Sequence, residues 1–483
     1  MRNEFNSIRA AQIAALVLLL SGCAVGPDYQ RPATPAVSSF KEAGDWVLAV
    51  PADALERGPW WALFGDPVLD QLESRVQVSN QNVAVAVAAY AQARALVREQ
   101  RASLFPSVAL NGGASRSGSG GASGSNASGV GGASSGGGRS GSNYQLSLGG
   151  SWEPDVWGRL GRTVDGATAG AQASAADLAS ARLSAQGELA VNYFSLRQTD
   201  AQKALLDATL AGFQRTLAIT QNRYSAGIVA KTDVLQAQTQ LANAQADAAG
   251  LVRQRAQLEH AIAVLVGDAP GNFTLASDNA WLPVVPDIPV GLPSTLLLRR
   301  PDIAAAERRV AAANEQIGIA QSAYYPSISL NASTGSGASR VADLFRASSS
   351  VWSLGLSTAQ VLFNAGATDA RVAGRVAAHE QAVARYRQAV LAAFQEVENQ
   401  LSASRVLALQ HALRRQASNA ADQVEQQVFN RYRSGQVGYT EVITAQTTAL
   451  NARRALTQSQ ADRQTTAVAL IQSLGGGWQP SQQ

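Results

Sequence analysis

Two kinds of pattern alternate along the first half of this chain. Stretches without proline, rich in Ala, Gln and Leu, predict helices over about residues 68–103, 162–225 and 232–265. Alternation with period two over residues 144–152 predicts a strand. A shorter strand is expected from Ser107 to Asn111. The Gly/Ser-rich stretch between these strands, 112–142, has too few apolar side chains to bury a core and is expected to be a loop.

The second half repeats this order. Helices are predicted over about residues 302–323 and 368–434, followed by a return helix to Leu474, and strands over 327–332 and around Trp352. At about 1.5 Å per residue, the longest helices would each be about 95 Å long. We therefore expect an extended helical cylinder rather than one compact globule.

One stretch that occurs twice explains the repeated order. Residues 222–244 read NRYSAGIVAKTDVLQAQTQLANA and residues 430–452 read NRYRSGQVGYTEVITAQTTALNA, and the two copies align without a gap. Such a match indicates an internal duplication. In each copy a glycine, Gly227 or Gly435, separates two helical runs that contain no proline, which predicts a tight helix–turn–helix tip. The molecule would then use two equivalent hairpins for the same role.

Composition and charge argue against several classes of function. The 483 residues carry a formal net charge of +4 with the basic side chains spread out, so neither a nucleic-acid patch nor a polybasic membrane segment is visible. His260, His379 and His411 lie on separate predicted helices without clustered ligands, and the sequence contains no nucleophile elbow. We expect no enzymatic activity, no metal site and no nucleic-acid partner.

The N-terminus has the pattern of a bacterial lipoprotein signal. Arg2 and Arg9 form a basic segment before an apolar run, residues 10–20, that is too short to span a bilayer in the mature protein. Leu-Ser-Gly-Cys follows and matches the lipobox, in which cleavage leaves Cys23 with an S-diacylglycerol group and an N-acyl chain such as palmitate. Cys23 is the only cysteine, so a disulfide within the chain is impossible. We favour a lipid-modified Cys23 over a buried structural one, with no other cofactor, and Ala24 after it implies sorting to the outer membrane.

Composition and repeat together divide the chain into six segments. These are a signal peptide (1–22), an extended strap with the lipid anchor (23–67), a first repeat (68–280), a Pro-rich connector (281–300), a second repeat (301–475) and a C-terminal tail (476–483).

The number of strands predicts an oligomer. Two strands per half give four per chain, and a sheet of four strands leaves both edges unpaired. Because every backbone polar group in a bilayer needs a partner, the strands must close with copies from other chains. Three chains would supply twelve strands, enough for a transmembrane barrel. On this count the expected fold is an α+β membrane protein, in which a twelve-stranded transmembrane β-barrel is joined to the extended helical cylinder.

These features together resemble the TolC-like outer-membrane factors, and most closely their NodT-type lipoprotein branch. The resemblance covers the mature chain and rests on the lipobox, the two tips, the block from Trp60 to Pro67, and Leu298-Arg299-Arg300-Pro301-Asp302-Ile303 with Ala306-Glu307 and Ile317-Gly318 after it. It implies a homotrimeric twelve-stranded β-barrel in the outer membrane of a Gram-negative bacterium, continuous with a long periplasmic α-helical barrel. This homotrimer would dock on a periplasmic adaptor and an inner-membrane RND-type pump. The chain would be a passive conduit for drugs or other small toxic compounds.

The resemblance also implies a gate at the periplasmic end. Acidic residues just after the tips ring the opening in this family, and Asp233 and Glu441 occupy equivalent positions in the two copies. A carboxylate ring at a constriction attracts cations. Alternatively, each carboxylate only stabilises the start of a helix, with Thr232 or Thr440 as the cap.

Other tip residues take roles from the same resemblance. Tyr432 matches a family tyrosine that binds the acidic residue matching Asp233 in the closed state, although the basic residue that accompanies it is replaced here by Val437. Both tip arginines could contact the adaptor or bind carbonyl groups at helix ends. The residues expected at the tip and the adaptor contact are Arg223, Gly227, Arg431 and Gly435.

Three tryptophans flank the predicted strands. Trp152, Trp157 and Trp352 could form an aromatic girdle against outer-membrane lipid, or they could pack where the strands meet the helices.

Two other functions remain open on sequence alone. One is a conduit for type I protein secretion, which uses the same architecture. The other is a non-conducting structural coiled-coil lipoprotein, which would not need the period-two segments after Pro106 and Pro326.

Overall fold

A computed structural model gives the structure of most of the chain. It describes residues 24–35, 39–43, 59–118, 140–278, 281, 283–286, 288 and 299–476. The predicted signal peptide, Cys23, much of the strap and the connector, the centre of the Gly/Ser-rich stretch (119–139) and the tail from residue 477 lie outside the described residues.

The helices and strands follow one another in the expected order. The first half contains α1 (Pro67–Ser79), α2 (Gln81–Ala102), β1 (Ser107–Gly118), β2 (Ser140–Trp152), α3 (Arg159–Ser225) and α4 (Lys231–Leu265). The second half contains α5 (Pro301–Gln321), β3 (Ser327–Ala338), β4 (Ser350–Ala359), α6 (Ala367–Arg433) and α7 (Tyr439–Ser473). None of the helices among the described residues is both long enough and apolar enough to cross a lipid bilayer.

The duplication seen in the sequence is also present in the hairpin helices. The long helices α3 and α6 each have 67 residues, and the return helices α4 and α7 each have 35. Each boundary of the second hairpin lies 208 positions after its counterpart in the first, the same offset as between the two copies of the repeated stretch.

The prediction of one helix over residues 68–103 was wrong, because Asn80 divides it into α1 and α2. The backbone of Asn80 is extended (φ −67°, ψ 123°), and its side-chain Oδ1 accepts hydrogen bonds from the N–H groups of Asn82 (2.9 Å) and Val83 (3.1 Å). Its Nδ2 donates to the carbonyl oxygen of Leu265 (2.8 Å). Asn80 thus caps α2 and fixes the break against the end of α4.

The expected loop 112–142 was too long. Residues 112–118 belong to β1 and residues 140–142 to β2, and they pair through backbone hydrogen bonds that need no large side chains. Strand β3 likewise continues beyond the expected end at residue 332, to Ala338.

The strands form an antiparallel sheet in the order β1-β2-β3-β4. Within the described residues β1 pairs only with β2 and β4 only with β3, so both edges are open.

The register gives the sheet one apolar and one polar face. Leu148 lies beside Leu110 on one side and Thr334 on the other, and Thr334 lies beside Trp352. The opposite face consists mostly of Ser, Gly and Asn, with three hydroxyl pairs across neighbouring strands: Ser107–Ser151 (2.8 Å), Ser329–Ser357 (2.7 Å) and Ser333–Ser353 (2.8 Å).

The chain divides into two compact units, one of which contains the sheet. This sheet unit comprises Met1–Arg31, Gln92–Ala171 and Arg309–Ala382, and the tip unit comprises Pro32–Ala91, Gln172–Arg308 and Val383–Gln483.

The Arg-Pro-Asp-Ile block has a structural role in the tip unit. The guanidinium group of Arg300 pairs with Asp302 (2.7 Å) and Glu396 (2.6 Å) and donates to the carbonyl oxygen of Ser473 (3.1 Å). The block therefore joins the start of α5 to α6 and to the end of α7.

Candidate functional site

The two tips have the same backbone geometry. The N–H of Gly227 donates to the carbonyl of Tyr224 and that of Ile228 to Arg223, each at 2.9 Å, and the same two bonds form at Gly435 and Gln436. Both glycines have positive φ, +74° and +73°, which other residues rarely adopt. Each long helix therefore ends in a Schellman-type turn that reverses the chain.

The acidic residues of the two tips lie in the first turn of the return helices. Helices α4 and α7 begin after Ala230 and Gly438, and neither of these two positions provides a side-chain cap. The prediction that Thr232 and Thr440 are the caps was therefore wrong, because both lie inside the first turn. Asp233 and Glu441 are the acidic residues of these first turns. Their negative charges are favoured there by the helix dipole.

The two tips differ in their tyrosines. Tyr432 is 1% exposed and packs against Ala237, Tyr439 and Val442, whereas its counterpart Tyr224 is 45% exposed. The hydroxyl of Tyr432 forms a 3.1 Å hydrogen bond with Thr220, rather than with Asp233, within one chain.

The tip arginines differ in the same way. The guanidinium group of Arg223 lies 4.7 Å from the centre of the Tyr432 ring, and its Nη1 donates to the Tyr432 carbonyl oxygen (3.0 Å). Gly435 also lies against Arg223, since a Cβ added there would be 3.5 Å from Nη2. Arg431, at the equivalent position of the second copy, is exposed. Arg223 thus joins the two hairpins, and Arg431 is left available on the surface.

The two tip carboxylates have different surroundings. Glu441 is exposed and lines a cavity of about 360 Å³ between α6 and α7, together with Val424, Val428 and Thr448. Asp233 is half-buried close to Tyr439. Burial, with the charges of Tyr432 and Asp233 adding to it, raises the pKa of Tyr439 to about 12. Tyr439 therefore stays neutral at physiological pH.

The three tryptophans have different surroundings. Trp352 is 76% exposed on the apolar face of the sheet. Trp152, on the same face, donates through Nε1 to the carbonyl oxygen of Leu104 (3.0 Å). Trp157 lies beyond the sheet, where it stacks on Tyr325 with 4.8 Å between ring centres and donates to the carbonyl of Pro326 (2.7 Å).

Comparison with known proteins decides what kind of molecule carries this site. The family model of the outer membrane efflux protein matches residues 72–268 and 292–476, which include both tips and all four strands. The chain belongs to this family.

The similarity to known relatives extends over nearly the whole chain. This chain is 32% identical over 475 residues to the solvent efflux pump outer membrane protein SrpC of Pseudomonas putida, and the alignment covers 96% of this chain and 98% of SrpC. It is 29% identical over 469 residues to the cation efflux system protein CusC of Escherichia coli O6:H1, covering 96% and 98%. The solved structure of the outer-membrane channel OprN matches with a TM-score of 0.85 and 30% identity, over 95% of this chain and all of that one. This efflux protein is accordingly an outer-membrane component of an efflux pump, with a periplasmic part.

The structure also shows a contact of the efflux protein that sequence reasoning missed. Residues 24–28 lie in a seat formed by α3 and α5, where the buried guanidinium group of Arg162 donates to the carbonyls of Gly26 and Pro27 (both 3.2 Å) and pairs with Glu315 (2.8 Å). Asn314 Nδ2 also donates to the Pro27 carbonyl (3.0 Å). The one sequence signal for this region is Ile317-Gly318, which follows the Arg-Pro-Asp-Ile block along the chain. Gly318 lies against the side chain of Arg162.

No metal centre emerges from the part of the chain that the structure describes. Three or more His, Cys, Asp and Glu side chains do not converge there in a way that could hold a metal ion. His411 pairs instead with the hydroxyl of Ser459 (3.0 Å).

Proposed function

We propose that this efflux protein works as a homotrimer whose sheets close a twelve-stranded barrel in the outer membrane, as a passive conduit of a tripartite system. A periplasmic adaptor and an inner-membrane RND-type pump would complete the system, and the pump would supply the energy. Diacylglycerol and acyl chains on Cys23 would anchor each chain in the membrane.

The sheet carries this proposal. Among the described residues, the outer sides of the edge strands β1 and β4 pair with no further strand. Unpaired backbone groups at such edges are not tolerated in a bilayer. Its apolar face suits lipid, and its face of Ser, Gly and Asn suits a water-filled lumen. A purely helical structural lipoprotein would need neither face, and the named efflux relatives favour efflux over protein secretion.

The same sheet suggests where substrate choice is made. The polar face has no charged side chain among the described residues of the four strands. A neutral lumen would pass solvents, drugs and cations alike, which fits a family whose members are named for solvent and cation efflux. Selection among small toxic compounds would then fall to the pump.

Asp233 and Glu441 are the proposed gate residues. Three chains would bring six carboxylates to the periplasmic opening, where they would attract cations and restrict the resting channel. The exposed Arg431 and the turns at Gly227 and Gly435 would face the adaptor.

Native mass spectrometry of the detergent-solubilised protein, followed by single-channel recording in planar bilayers, tests the proposal. We expect trimers that conduct weakly at rest. Monomers only, or trimers that never conduct under any voltage, would contradict it.

A further inference from the structure

A cavity of about 400 Å³ lies where the strands meet the helices in the sheet unit. It is bounded by the segment after β2, by the turn from α5 into β3, by the end of β4 and by the first turns of α6. In an outer-membrane protein with a periplasmic helical part, the helix-bearing end of the sheet is its periplasmic rim. The cavity therefore lies level with the head groups of the periplasmic leaflet.

Two arginines of α6 give the cavity an unbalanced positive charge. Arg371 and Arg375 are four residues apart, so both line the cavity from one face of the helix. Both are exposed, and neither forms a salt bridge within the described residues.

The acidic side chains nearby are already engaged. Glu153 forms a two-pronged pair with Arg159 (2.8 and 3.3 Å). The carboxylate of Asp155 accepts two backbone N–H groups from the first turn of α3, at 2.9 and 2.6 Å. The hydroxyl of Tyr324 donates to Asp369. The free binding capacity of the cavity is thus cationic.

The remaining wall is aromatic and apolar. Trp157 and Tyr325, stacked on each other, line the cavity together with Ile328 and Val361. Ile328 lies in β3 on the same face as Leu330, the apolar face assigned to lipid. The surface that would contact acyl chains therefore continues into the cavity. A free inorganic anion would make no favourable contact with this apolar wall. An amphiphile with a phosphate group would contact both the wall and the two arginines.

We propose that this cavity binds the phosphate head group of a glycerophospholipid from the periplasmic leaflet, held by Arg371 and Arg375 beside the stacked Trp157 and Tyr325. Guanidinium groups bind phosphate through paired, charge-assisted hydrogen bonds. Aromatic rings favour the membrane interface, where one side is apolar and the other wet. Each chain would thereby hold one lipid at the junction of sheet and helices.

The test measures binding of dihexanoylphosphatidylglycerol, a water-soluble phospholipid, to the purified and delipidated full-length protein. We expect about one molecule per chain and an affinity at least about tenfold lower in Arg371→Gln/Arg375→Gln, since one lost charge-assisted contact is worth roughly a factor of ten. The matched control is Arg215→Gln/Arg253→Gln, which removes the same charge from two exposed positions outside the cavity and should bind like the native protein.

Several outcomes would overturn the proposal. These are no binding by the native protein, equal loss in the control, unchanged binding in the cavity variant, or displacement of the lipid by an equal concentration of inorganic phosphate, which would make the cavity a plain anion site. Loss of trimers with head-group binding retained would assign the arginines to a contact between copies instead. If the glutamine variant fails to assemble, Arg371→Lys/Arg375→Lys replaces it. This variant keeps the positive charges but loses the paired guanidinium geometry, so an unchanged affinity for the lipid would count against the proposal.

Discussion

The guanidinium group of Arg223 lies 4.7 Å from the centre of the Tyr432 ring and donates a 3.0 Å hydrogen bond to the carbonyl oxygen of the same residue. One side chain from the first hairpin thus covers the ring and satisfies a helix-end carbonyl of the second. Because Tyr432 also bonds to Thr220, the two hairpins share one small cluster at the tip.

Replacing Arg223 by alanine should loosen this cluster. The cation–π contact alone is worth about 1 kcal/mol. We expect faster hydrogen exchange over residues 428–445 and a higher resting conductance in planar bilayers. The matched variant Arg431→Ala removes the equivalent arginine, which is exposed, and should change neither reading. Equal effects of the two variants would show that the Arg223–Tyr432 contact does not hold the hairpins together.

Removing the two tip carboxylates should open the proposed constriction. In Asp233→Ala/Glu441→Ala we expect a clearly higher resting conductance and weaker cation preference, because six negative charges leave the opening of a trimer. The control Glu188→Ala/Glu380→Ala removes two exposed carboxylates from α3 and α6 and should leave the channel unchanged. Conductance that stays at the native level in the tip variant would place the gate elsewhere.

A buried carboxyl in α1 should make stability depend on pH. Burial, with the charge of Asp70 adding to it, raises the pKa of Glu73 to about 9, and neither carboxyl oxygen has a hydrogen-bond partner. An acid with a raised folded-state pKa is protonated in the folded chain and ionised in the unfolded chain, so the protein loses stability as the pH rises from the unfolded pKa toward 9.

The variant Glu73→Gln should remove this loss. We expect its Tm to exceed the native value by a few degrees at pH 8 and to match it near pH 4, as followed by circular dichroism. The exposed Glu99, replaced by glutamine in α2, is the control and should keep the native pH profile. A native profile for Glu73→Gln would mean that Glu73 is ionised in the folded protein.

The seat of residues 24–28 has no room for a further methyl group. A Cβ on Gly26 would lie 2.5 Å from the Cα of Gly318, and the φ of Gly26 is +116°. Gly26→Ala should therefore release the segment from Arg162, and limited proteolysis or hydrogen exchange over residues 24–31 would detect the release. Gly170→Ala is the control, since a Cβ there meets nothing within 4 Å. Equal protection of the segment in the two variants would show that Gly26 is not needed to hold residues 24–28 against Arg162.

The hairpins could be read from sequence because their signals are local. Glycine at Gly227 and Gly435, the lack of proline in the long helices and the repeated stretch placed the helix boundaries within about three residues of those observed. The break at Asn80 was missed because its cause is partly remote: the Asn80 side chain is held by a carbonyl of α4, 185 positions along the chain.

The difference between the two tips also has a cause outside the repeated stretch. The residue equivalent to Thr220 in the second copy is Val428, which has no hydroxyl to offer a tyrosine. This contributes to why Tyr432 is buried and hydrogen-bonded while Tyr224 is exposed. Identical residues in a duplicated chain can therefore carry different roles.

By itself the sequence determined the order of elements, the duplication and the family, because helix length, turn glycines and period-two alternation are properties of short stretches. Only the tertiary structure decided which groups come together. It places Arg223 against Tyr432 and Arg162 against the backbone of residues 24–28, and it brings Arg371, Arg375 and Trp157 to one cavity. These partners lie up to about two hundred positions apart. Their meeting depends on how the helices and strands pack against one another, which no local pattern records.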